Sequence, residues 1–73
     1  MMQNYYDIIV MKLYDAIKNK DLGNVLEKIF MQYIEILCGE EFDDATKSKF
    51  AIIALADLNN IENFPNKTTN RVR

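Results

Sequence analysis

The sequence predicts an all-α fold, a small three-helix bundle. Two observations carry this. Apolar residues recur three and four positions apart through three stretches, the period of a helix with one face buried. Gly23, Gly39 and Pro65 fall between and after those stretches, where turns are needed. The 73 residues leave room for one domain. We expect a helical domain over 1–65, with helices near 4–19, 22–38 and 44–60, and a flexible basic tail over 66–73.

The first helix is expected to begin at Asn4, a good N-cap, with Asp7 meeting the positive end of the helix dipole. At 100° per residue, Tyr5, Tyr6, Ile9, Val10, Leu13, Tyr14, Ala16 and Ile17 share one half of the cylinder. Asp7, Lys12, Asp15 and Lys18 occupy the other half, interrupted by Ile8 and Met11.

The second helix starts at Asp21 or Asn24; Asn24 and Glu27 have capping-box spacing. Leu22, Val25, Leu26, Ile29, Phe30, Tyr33, Ile34 and Leu37 follow the helical period, and Ile36 projects into the same arc. Gly39 is placed to end the helix in a left-handed conformation.

Glu40, Glu41, Asp43 and Asp44 make an acidic connection in which either aspartate, or Thr46, can cap the third helix. Phe42 is placed to pack over the start of that helix. Phe50, Ala51, Ala54, Leu55, Leu58 and Ile61 form its main apolar face, and Ile53 interrupts a polar face of Thr46, Lys49, Asp57 and Asn60. Phe50–Leu55 also reads as a buried strand, but no second strand exists to pair with it, and its flanks favour helix. Ile61–Phe64 is an irregular segment or one turn, ended by Pro65.

A bundle of this kind uses about three apolar positions in seven. This chain has more. Ile8, Met11, Met31, Ile36, Ile52 and Ile53 are therefore candidate interface residues. A chain this short also buries a modest share of its surface and commonly needs a staple. With one cysteine and no histidine, neither an internal disulfide nor a Cys/His zinc site is available. Homodimerisation is the expected completion of the fold. The expected partners are thus a second copy or another protein.

Composition also bears on chemistry. Without histidine, serine triads, Cys–His pairs and histidine-based metal-hydrolase helices cannot be assembled. The two isolated glycines make no phosphate-cradling loop. No catalytic, cofactor-binding or metal-ligating residue is assigned, and the expected function is non-catalytic: a regulator, adaptor or inhibitor acting through an apolar helix face. Glu40, Glu41, Asp43 and Asp44 are a candidate acidic contact patch. They lack the alternating pattern and glycine of a calcium loop, and capping explains them more simply. Cys38 reads as a passive small apolar residue, because the neighbouring acids oppose thiolate formation.

The alternative is a nucleic-acid-associated regulator on a dimeric scaffold. It would draw on Lys47, Lys49 and the tail cations Lys67, Arg71 and Arg73. Charge is against it: residues 1–65 hold eleven acids and six lysines, a balance of −5. The acidic connection would also repel phosphates from the third helix. The longest apolar run, Phe50–Ala56, is seven residues, against about 20 for a membrane span. With one cysteine and no charged leader before an apolar run, a cytoplasmic location is expected.

Overall fold

The computed structural model describes residues 4–67. It contains three helices, α1 (Tyr5–Asn19), α2 (Asn24–Cys38) and α3 (Asp44–Asn60), each packed against the other two. The described residues contain no named strand; one isolated antiparallel bridge pairs Lys20 with Asn66.

The helix starts follow from local chemistry. Asn4 accepts a hydrogen bond from the Asp7 backbone N–H at 3.0 Å, satisfying one of the donors left open at a helix start. Asp43 does the same for the Thr46 N–H at 2.9 Å. That bond stabilises the ionised carboxylate and holds the Asp43 pKa below its usual value.

The start of α2 differs from the expected capping box. Asn24 is the first helical residue, Gly23 is the N-cap, and no side chain caps the helix. The backbone at Gly23, with φ +85° and ψ 164°, lies in a region that is essentially glycine's alone. The helix therefore begins two residues later than its expected start at 22. Leu22 precedes it and is nonetheless buried, anchoring the turn to the core.

Gly39 is also a correction. It is extended (φ −81°, ψ −179°) rather than left-handed. Its N–H donates to the Glu35 carbonyl at 2.9 Å, and a Cβ there would lie 2.8 Å from that same oxygen. Close backbone approach explains the absence of a side chain at this position.

The core gathers Ile9, Val10, Leu13 and Ala16 from α1, Phe30, Ile34 and Leu37 from α2, and Ala51 and Ala54 from α3, with Leu22 and Ile61 closing the ends. Among the described residues no polar or charged side chain is buried. The expected apolar arcs were too wide at their margins. Tyr5 and Tyr14 flank the α1 arc on either side and are exposed, and Val25 is 74% exposed. A helix with two neighbours buries a stripe of little more than 100°, so residues at the edges of a half-cylinder reach solvent.

Cross-helix bonds tie the bundle. The Tyr6 hydroxyl donates to the Asp44 carbonyl at 3.2 Å and shares a hydrogen bond with Ser48 Oγ at 3.0 Å, joining the starts of α1 and α3. Lys47 Nζ lies 5.9 Å from the centre of the Tyr6 ring, within cation–π range. Phe42 packs its ring against Phe50 at 6.3 Å, over the start of α3 as expected.

The Tyr33 hydroxyl donates to Asp57 Oδ2 at 2.5 Å, joining α2 to α3. Burial, then the hydrogen bond and negative charge of Asp57, push the Tyr33 pKa from 10.0 up to about 12. In the unfolded chain the phenol ionises near 10.0, whereas the folded chain still holds the proton there. The stabilisation is complete below that pH and is lost as pH rises through about 12. Chemical denaturation at stepped pH should show this alkaline loss in the wild type. In Tyr33→Phe the loss should be smaller; an identical pH dependence would assign it to other groups.

The described C-terminal segment continues past Pro65. Asn66 and Lys67 are held against the α1–α2 turn. Asp21 N–H donates to the Pro65 carbonyl at 2.8 Å, and Lys67 N–H to the Asn19 carbonyl at 2.7 Å. Lys67 Nζ reaches the Ile17 carbonyl at 2.7 Å and Glu27 Oε2 at 2.9 Å. From the other side, Lys20 Nζ donates to the carbonyls of Glu62 and Phe64. Lys67 thus supplies donors to carbonyls left open at the end of α1, an arrangement the helix dipole favours, while Lys20 holds the turn that follows α3. The remainder of the expected basic tail, 68–73, lies outside the described residues.

Candidate interaction surface

α3 supplies the main candidate. Polar and apolar residues are intermixed around it, so it has no strong apolar direction of its own. Its innermost residues are Ala51 and Ala54, both fully buried. These methyls let α3 sit close to α1 and α2. The larger Phe50, Leu55 and Leu58 flank them, partly buried. Ile52 and Ile53 point outward, 65% and 45% exposed. The helix therefore buries small side chains and presents two of its largest aliphatic ones to solvent.

Around Ile52 and Ile53 the outer face carries Ala45, Lys49, Ala56 and Asn60, all exposed. These six positions fall within about 100° of the cylinder. Only Lys49 among them is charged.

The remaining expected interface residues do not join this face. Ile8 and Met11 are exposed on α1, where Tyr5, Ile8, Met11 and Tyr14 form an exposed row at three-residue spacing. Asp7, Lys12, Asp15 and Lys18 are exposed around that row, making it a mixed surface. Met31 lies on α2 in a shallow depression lined by Asn24, Glu27, Lys28, Gln32 and Glu35, a mainly polar setting. Ile36 is half-buried. The six candidates are thus spread over three helices, and only Ile52 and Ile53 share a mainly apolar outer face. Ala45 and Ala56 complete that face.

The acidic residues Glu40, Glu41, Asp43 and Asp44 are all exposed. Asp43 is engaged in capping α3, and the Asp44 carbonyl accepts from Tyr6. Among the described residues no group of three potential ligands is placed to hold a metal ion. Cys38 is an exposed free thiol at the end of α2. Lys49 is exposed on the α3 face, whereas Lys47 is half-buried over Tyr6. No described helix is long and apolar enough to cross a membrane.

No protein-family model matches the chain, and no curated protein or solved structure matches it.

Proposed function

We propose that this chain is a non-catalytic helical interaction module, a regulator, adaptor or inhibitor, that acts through the outer face of α3 and pairs there with a second copy. The observation that carries this reading is the inversion of α3, with Ala51 and Ala54 buried and Ile52 and Ile53 exposed. Covering those isoleucines removes apolar surface from water at about 25 cal/mol per Å². It also gives a short chain the additional burial that a single copy lacks. An exposed free thiol at Cys38 suits a reducing compartment, and the cytoplasm is the proposed location.

The nucleic-acid alternative has less support. Lys47 is engaged with Tyr6, and four acids immediately precede α3.

Sedimentation of the full chain tests the proposal. The wild type should run as a dimer that persists at moderate salt, because apolar contact is not screened by ions. Ile53→Lys should shift it to monomer with the helical circular dichroism signal retained. A wild type that remains monomeric at high concentration would overturn the reading.

A further inference from the structure

We infer that residues 62–67 form a strap that opens and closes as one unit while the three helices stay folded.

The strap runs antiparallel to the chain leaving α1. The Asp21 N–H donates to the Pro65 carbonyl and the Lys67 N–H to the Asn19 carbonyl, on either side of the Lys20–Asn66 bridge. Among the described residues no further strand flanks this pair, and a two-stranded pair is marginal by itself in water. Two lysines brace it from opposite directions. Lys20 reaches out to the strap, at the Glu62 and Phe64 carbonyls. Lys67 reaches back from the strap, to the Ile17 carbonyl and Glu27. All of these bonds span the same two segments, so losing one brace loosens the register on which the other depends.

The attachment is polar and lies at the surface. Ile61 is buried and holds the chain to the core, but every residue of 62–67 is exposed. Phe64 is the one large apolar side chain of the strap, and it is 37% exposed. Opening therefore uncovers little apolar surface and returns backbone freedom to the segment. Water replaces the exposed hydrogen bonds, and the exposed Lys67–Glu27 pair is worth little for the same reason. The helix dipoles pull Lys67 both ways. Its ammonium gains at the end of α1 but stands beside the first turn of α2, where a cation is disfavoured. Few buried contacts and exposed hydrogen bonds are the marks of a segment that opens locally. Opening frees the carbonyls at the end of α1 and the Glu27 carboxylate together, with Ile61 as the fixed end.

Hydrogen exchange of the full chain, followed residue by residue by NMR, tests the strap. The Asp21 and Lys67 amides report on it, and the Phe30 and Ala54 amides on the bundle. In the wild type the two strap amides should be protected to the same degree, and both should be at least about tenfold less protected than the core amides. Lys20→Ala should speed exchange at the Lys67 amide, and Lys67→Ala at the Asp21 amide, by about tenfold each, with core rates unchanged. These effects cross the strap, since neither ammonium touches the carbonyl that accepts from the amide in question. Strap amides as slow as the core would show that the segment opens only when the whole chain unfolds. Unprotected strap amides would show that it is never closed. Effects confined to the neighbours of each lysine would show two separate attachments. Each of these results overturns the inference, and the first two are read from the wild type, whether or not a variant folds.

Discussion

Phe30→Ala is expected to lower stability by about 3–5 kcal/mol, the largest loss from any single truncation considered for this chain. Phe30 is fully buried, on the α2 face that packs into the centre of the bundle. Ile9 and Leu13 of α1 and Ala51 and Ala54 of α3 belong to the same core. Removing the ring deletes apolar burial and leaves a cavity whose walls belong to three separate helices, so no one element can collapse into it. Small domains have total stabilities near the bottom of the usual range of about 5–15 kcal/mol. The variant should therefore be largely unfolded at ambient temperature, as circular dichroism and a thermal scan would show. A cooperative transition close to that of the wild type would mean that the core is centred elsewhere.

Gly39→Ala is expected to destabilise the chain by about 1–3 kcal/mol, the range for steric overpacking. The new methyl would meet the Glu35 carbonyl oxygen at 2.8 Å, and that oxygen already accepts the Gly39 N–H. A backbone acceptor cannot rotate away as a side chain can, so the last turn of α2 must open or the acidic connection must move. The φ of Gly39 is ordinary for any residue, and the effect is therefore one of space. Gly23 is the opposite case: a Cβ there has nothing within 4 Å, but its φ of +85° is unfavourable to other residues. Denaturant titration of Gly39→Ala measures the difference, and a midpoint equal to the wild type would show that the turn relaxes freely.

Much of the fold was legible in the residues themselves. The apolar period located three helices because only one periodicity can bury those side chains together. Asn4 identified one helix start, and Asp43 was among three caps open for α3, because a cap depends on a side chain and a backbone donor only three residues away. Gly39 was correctly placed at a helix end, but for a conformation it does not adopt. Periodicity reports direction round a helix and not the width that neighbours cover, so Tyr5, Tyr14 and Val25 were assigned to an arc whose margins are exposed.

The candidate surface was legible in part. Ile52 and Ile53 stood out as excess apolar residues, while Ala45 and Ala56 did not, because alanine suits a core and a surface equally. The Tyr33–Asp57 bond and the clasp of Lys20 and Lys67 join residues 24 to 50 positions apart, and no local pattern announces such pairs.

The sequence by itself determined the all-α class, the approximate bounds of three helices, the Asn4 cap and an absence of histidine chemistry. These depend on short-range periodicity, on bonds within one turn, or on residue identity. Only the tertiary structure decided that α3 buries Ala51 and Ala54 and turns Ile52 and Ile53 outward, and that Asn66 and Lys67 close on the α1–α2 turn. Those outcomes depend on which helix lies beside which, a matter of three-body packing that one helix's own pattern does not contain.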